Sequence, residues 1–277
     1  MKRTMWMFAM CLSVLVALSW RARSASSTPS AETIVKQMLK KYQSLNTFEE
    51  IATDTRLQKR GAVQQTMTLK ARFVYKKPNK FLYDIDDPYQ GILAVCDGKE
   101  FYFLVRSLNQ YRKHPAPASM AEVARVEPMF RTVLDPPAFL RGDDPIKGAR
   151  NLKLVGSETI GRQPTYHLRF DQPPPSLPPT RTGAPPMTIS RTTEMWIGKQ
   201  DFLLYKTQTT IKASRGNQSV SSVMTEIHTQ MKVNHDVADS VFHFTPPKGA
   251  KEVKEFFRSP LPGASPGGAP PPAQPRK

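Results

Sequence analysis

At 277 residues, with 40 lysines and arginines against 23 aspartates and glutamates, the chain is long enough for one large domain or two small ones and carries a formal charge of +17. That balance suits an acidic partner: anionic lipid headgroups, nucleic acid or an acidic protein. The 14 glycines form no phosphate-cradling loop, and no zinc-finger spacing or aromatic RNA-binding motif is present.

The first residues set the compartment. Lys2 and Arg3 precede an apolar run from Met5 to Trp20, and Ala22-Arg23-Ser24 puts small residues where a signal peptidase reads. The run is short for a membrane span, so cleavage after about Ser24 is expected in preference to an N-terminal anchor. Phe8-Ala9-Met10-Cys11 is a poor match to a lipoprotein acylation site. Removing residues 1–24 takes away Lys2, Arg3, Arg21 and Arg23 and no acid, so the mature chain stays strongly basic. Cys96 is then the lone cysteine and has no internal disulfide partner. Export to a periplasmic or otherwise extracytoplasmic compartment argues against nucleic acid as the partner.

From Ala31 to Leu45, Ile34, Val35, Met38, Leu39 and Tyr42 fall at helical spacing, with Ser30 as N-cap and Glu32 in the first turn. Strand patterns follow. Thr47–Leu57 is weak. Thr66–Lys76 is stronger, with Ala71, Phe73 and Tyr75 on one face and Arg72, Val74 and Lys76 on the other. Lys77-Pro78-Asn79-Lys80 is a turn, after which Phe81, Tyr83 and Ile85 alternate with Leu82, Asp84 and Asp86. Asp87-Pro88 breaks that strand, Ile92–Cys96 and Phe101–Val105 read as a hairpin about Asp97-Gly98, and Asn109–Lys113 is a further strand. Met120–Arg125 and Pro128–Leu134 read as short helices. Strands resume at Leu152–Ser157, Thr165–Asp171, Thr192–Ile197, Phe202–Lys212 and Ser219–Val233.

Seven prolines between Gln172 and Pro186, and seven more between Ser259 and Lys277, mark a long loop and a disordered tail. The expected organisation is a signal peptide (1–24), one domain (25–254) with a proline-rich insertion (172–190), and a tail (255–277). The fold class is α+β, mainly antiparallel β. About ten or eleven strands form an unclosed, curved barrel wrapped on the N-terminal helix, with a short helical lid and one face of the sheet wet.

The order of these motifs resembles the LolA-like family of extracytoplasmic lipoprotein carriers. The stretch Lys76-Lys77-Pro78-Asn79-Lys80-Phe81, then Pro88, Ile92 to Val95, Asp97-Gly98-Lys99, Phe101-Tyr102-Phe103 and Asn109-Gln110-Tyr111 is similar to that family's signature. The second half agrees in Thr165-Tyr166-His167-Leu168, Met195-Trp196-Ile197 and Val241-Phe242-His243-Phe244 with Pro246-Pro247-Lys248-Gly249. The resemblance implies a non-enzymatic half-barrel with a helical lid over an apolar cavity for acyl chains. Its cargo would be a lipid or an acylated lipoprotein, with a donor or acceptor membrane complex as partner. Some relatives instead use the scaffold as an envelope sensor that regulates a partner. The family's carriers have an arginine before the turn proline that latches the lid. Here Lys77 stands there, and lysine lacks the planar multi-donor fork.

The cavity wall expected on this reading is Phe73, Tyr75, Phe81, Tyr83, Phe101, Phe103, Tyr166, Leu168, Phe170, Met195 and Ile197. Burying an acyl chain gains roughly 0.8 kcal/mol per methylene, so such a wall binds lipid without precise polar contacts. No cofactor, metal or catalytic residue is expected. The five histidines lack metal-ligand spacing, His167 is expected to face solvent, and Asp86-Asp87-Pro88 reads as a strand end. Lys40-Lys41 and the group Arg72, Lys76, Lys77 and Lys80 are basic clusters that suit an anionic membrane surface and, equally well, a solvated face.

Overall fold

The computed structural model describes residues 28–133, 138–173 and 187–256. The expected signal peptide, most of the proline-rich insertion and the tail beyond residue 256 lie outside the described residues.

Helix α1 (Ala31–Gln43) starts where the Ser30 side chain accepts from the Thr33 N–H, with Glu32 in its first turn and Lys40 and Lys41 in its last, the favourable ends of the helix dipole. It buries Ile34, Val35, Met38 and Tyr42. The first half of the sheet is β1 (Thr47–Arg60), β2 (Val63–Lys76), β3 (Lys80–Ile85), β4 (Ile92–Cys96), β5 (Glu100–Val105) and β6 (Gln110–Pro115). Two short helices, α2 (Val123–Val126) and α3 (Pro128–Val133), and a 3-10 turn at Ala138–Arg141 follow. The second half is β7 (Arg150–Ile160), β8 (Gln163–Gln172), β9 (Met187–Gly198), β10 (Leu204–Arg215) and β11 (Gln218–Val233), with a two-residue β12 (Lys251–Glu252) near the end.

The twelve strands among the described residues form one sheet, in the order β12-β6-β5-β4-β3-β2-β1-β11-β10-β9-β8-β7. Neighbours are antiparallel except the β12–β6 pair. β7 and β12 are the two edges and do not pair, so the sheet is an unclosed half-barrel, the LolA-like architecture that the motif order implies. The hairpin about Asp97-Gly98 forms as expected: the Asp97 carboxylate accepts from the Lys99 and Glu100 N–H groups, and Gly98 takes a positive φ.

The concave face carries the main core. Phe81, Phe101 and Phe130 meet with ring centroids 5.4–6.2 Å apart, and Phe48 and Phe73 continue the layer under α1. Cys96 is a buried free thiol, and burial pushes it up to about 11. The fully buried Glu127, between α2 and α3, lies 3.2 Å from an Arg112 nitrogen and 3.3 Å from His114 on β6, and accepts from the Met129 N–H. That contact fixes the helical segment to the sheet.

The convex face is not uniformly wet. After β11 the chain crosses back over β2–β5. Phe242 and Val237 cover Val74, and Phe244 covers Val95 and Leu104 and stacks on Tyr102 at 4.6 Å. Expecting one bare face overlooked Val74, Leu82, Leu93, Val95 and Leu104, which are apolar at outward positions and need a cover. Phe256, assigned by sequence to the tail, packs edge-on to Phe103 at 5.9 Å, and the Arg112 guanidinium lies over its ring. His167 does not face solvent. It sits on the convex face opposite Trp196 in the register, and the indole stacks on it at 4.3 Å and buries it. Its Nδ1 is 2.8 Å from the Glu158 carboxylate.

Candidate functional site

A cavity of about 260 Å³ lies between the concave sheet, the end of α1 and the segment 138–145. Its floor is apolar. Tyr42 from α1 stands 5.6 Å from Phe48 and 5.2 Å from Phe139, centroid to centroid, and its hydroxyl accepts from the Leu204 N–H at 3.2 Å. Burial raises that phenol well above its ordinary range, so it stays neutral. Phe73, Ile85, Phe170, Met195 and Leu204 complete the floor. The room itself comes from small side chains. Ala52 on β1 and Ala71 on β2 are register partners, both facing inward at the middle of a face otherwise built of rings.

One wall is charged. Glu50 and His228 are 2% and 7% exposed, and Nδ1 of the imidazole lies 3.0 Å from the Glu50 carboxylate. Glu226 stands 3.8 Å from Nε2, which has no hydrogen-bond partner among the described residues. Burial pushes the His228 imidazole down, but the carboxylates of Glu50 and Glu226 outweigh it and raise it to about 9. The imidazole is therefore a cation at neutral pH, paired with Glu50 through its Nδ1 proton. Further out, Asp54, Arg56, Gln172, Arg191 and the threonines Thr193, Thr207 and Thr209 line the mouth, where Asp54 and Arg56 form an ion pair at 2.8 Å.

Of the residues expected to form the wall, Phe73, Tyr83, Phe170 and Met195 line this cavity. The other seven lie elsewhere. Phe81, Phe101 and Phe103 are buried in the ring cluster closed by Phe130 and Phe256; Tyr75, Leu168 and Ile197 belong to the core; and Tyr166 is partly exposed against it, beneath the Lys199 ammonium. The residues the sequence reading passed over are Ala52, Glu50, Glu226 and His228. The available signal was polar and small side chains at inward-phase positions of long strands.

Lys77 donates from its ammonium to the Gln43 carbonyl at 3.0 Å and from its backbone N–H to the Asn46 carbonyl at 2.8 Å. Its contacts are with the end of α1, while the α2–α3 segment is tied down at Glu127. Three cations of the neighbouring basic cluster are paired with acids within the fold. Arg72 pairs with Glu49, and Lys76 and Lys80 both pair with Asp239, whose carboxyl they hold well below the usual range. Asp87 accepts from the Tyr89 and Gln90 N–H groups, as a turn residue does.

Residues 31–255 match the family described as predicted periplasmic protein (DUF2092). The chain belongs to this family. Its description places this DUF2092 protein in the periplasm. Among the described residues no helix is long and apolar enough to cross a membrane. An uncharacterized protein of Methanocaldococcus jannaschii is 26% identical over 226 residues, 80% of this chain and 53% of its own length. The chain thus spans about half the length of the curated relative it matches. Among solved structures, lipoprotein LppX of Mycobacterium tuberculosis overlaps 75% of this chain and 97% of its own, at 15% identity and a TM-score of 0.41. LprF of Mycobacterium bovis overlaps 75% and 94%, at 11% identity and 0.40. A LolA superfamily protein of Nitrosomonas europaea overlaps 78% and 99%, at 13% identity and 0.29. These overlaps are loose, and the functional reading rests on this chain's own cavity.

Proposed function

We propose that this DUF2092 protein is a periplasmic, non-catalytic carrier that holds the apolar part of a lipid or of an acylated protein in the cavity. The observation that carries the proposal is an unfilled space of about 260 Å³ over an apolar floor, beneath α1, beside the packed cluster of Phe81, Phe101 and Phe130. Each methylene that moves from water onto that floor gains roughly 0.8 kcal/mol, so a short stretch of chain is enough to bind. The polar wall favours an amphiphile over a hydrocarbon. The apolar end occupies the floor, and a polar group meets the threonines Thr207 and Thr209 near the mouth.

The Glu50–His228 pair does not favour catalysis. An imidazole raised to about 9 is already protonated at neutral pH and is a poor general base. It also donates into a buried carboxylate, the arrangement of a structural ion pair.

The test uses protein recovered from the periplasm of an expressing host, with an organic extract analysed by mass spectrometry. Wild type should release lipid in stoichiometric amount. Ala71→Phe, which fills the space from the β2 side, should fold and release much less. Equal lipid from both proteins, or none from wild type, contradicts the carrier reading. An empty protein that captures one membrane partner would favour the sensor role instead.

A further inference from the structure

We propose that the tips of the β1–β2 and β10–β11 hairpins form a docking surface for an anionic bilayer. The cavity lining ends at Arg56, Leu69, Arg191, Thr209 and Met224, yet β1 continues to Arg60 and β10 to Arg215. The register brings these extensions together: Arg60 lies opposite Val220, and Lys59 and Lys212 flank Ser221 from either side. In residues 56–70, 187–193 and 208–225 there are seven cations, Arg56, Lys59, Arg60, Lys70, Arg191, Lys212 and Arg215, and no aspartate or glutamate. All seven are exposed. Among the described residues only Arg56 has a carboxylate partner, Asp54.

The contrast with the cluster at Arg72, Lys76 and Lys80 carries the inference. Around Arg72, Lys76 and Lys80 the fold supplies its own acids, whereas Lys59, Arg60, Lys70, Arg191, Lys212 and Arg215 have no carboxylate partner among the described residues. Like charges crowded without counter-charge repel one another, and a negatively charged surface relieves that repulsion. Apolar side chains stand among the cations: Val63 at the β1–β2 tip is 63% exposed and Met187 at the start of β9 is 37% exposed. Cations with exposed apolar groups between them match the headgroup layer of an anionic membrane, where the charges meet phosphates and the apolar groups reach the acyl boundary. On the concave side Met67, Ile189, Ile211 and Val220 continue inward-facing positions from the cavity mouth to the tips, so a bilayer docked there faces the mouth.

The experiment is co-sedimentation of periplasm-derived protein with vesicles of phosphatidylcholine, with and without phosphatidylglycerol. The tip variant Lys59→Gln, Arg60→Gln, Lys212→Gln, Arg215→Gln is compared with a control variant that removes four exposed cations elsewhere: Lys36→Gln, Lys147→Gln, Lys248→Gln, Lys251→Gln. All proteins share one N-terminus, and thermal midpoints report folding. Wild type should bind only the anionic vesicles, and less as salt rises. Each tip cation removed should weaken binding roughly fivefold, so the tip variant should fall several-hundredfold while the control stays close to wild type. Should the tip variant fail to fold, the pair Lys212→Gln/Arg215→Gln and the single Val63→Ser each read the same surface, and each should weaken binding. Equal losses in the tip and control variants, equal binding to neutral vesicles, or no binding by wild type overturns the proposal. Vesicle binding is read whether or not the cavity holds cargo, so a negative result here leaves the carrier reading untouched.

Discussion

The buried pair Glu50–His228 makes stability depend on pH in a calculable way. The imidazole is raised from its ordinary 6.5 to about 9 by burial opposed and outweighed by Glu50 and Glu226. A group whose folded value is raised contributes stability that is fully present below its unfolded value and is lost as pH rises through its folded value. The window is therefore pH 6.5 to 9, and the contribution lost across it is about 3 kcal/mol at 1.36 kcal/mol per pH unit. The perturbation is the double variant Glu50→Gln/His228→Gln, which removes both charges so that neither is left buried and unpaired. Urea unfolding of wild type and variant is measured at pH 6 and at pH 9.5. The stability difference, wild type minus variant, should fall by about 3 kcal/mol between the two pH values. A difference that stays constant, or grows with pH, refutes the assignment of a charged imidazole.

Three further outcomes follow from the packing. Phe81→Ala, in the cluster with Phe101 and Phe130, should lower the unfolding free energy by about 3–5 kcal/mol in the same denaturation assay, because the space it leaves is enclosed on all sides. Glu127→Gln should cost about 2 kcal/mol and speed amide exchange in residues 120–133, since it weakens the contact from Arg112 and His114 that holds this segment. Gly91→Ala should destabilise by about 1–3 kcal/mol, because a Cβ there overlaps the backbone oxygens of Asp87 and Ile85.

The strands were legible because their periods are clean. Phe81, Tyr83 and Ile85 alternate with polar residues and Asp97-Gly98 punctuates a hairpin, so register and facing could be read without coordinates. The length of the hairpins was not. Residues 56–69 and 211–222 are polar or mixed on both faces, and where neither face is buried the period carries no information. The two-residue β12 was missed for a related reason: it is too short to show any pattern.

The site was legible only in part. Inward-facing aromatic residues were read as a wall, but rings such as Phe101 and Phe103 are large enough to meet one another and fill the space they border. A cavity needs small residues facing one another, and that the alanines at 52 and 71 are register partners is known only once β1 and β2 are paired. His228 and Glu50 are 178 residues apart in sequence, so no spacing rule joins them. The convex cover by Phe242 and Phe244 was hidden likewise: the need for it shows in Val95 and Leu104, while the segment that meets the need lies far along the chain.

The account stands on the hollow between Ala52, Ala71 and Met195. The measurement that reaches it most directly is a crystal structure of protein isolated from the periplasm without delipidation. The predicted result is elongated density running from the Phe73–Leu204 floor toward the mouth, with a polar group beside Thr207 and Thr209. A space closed by its own side chains, or one holding only ordered water, contradicts the account.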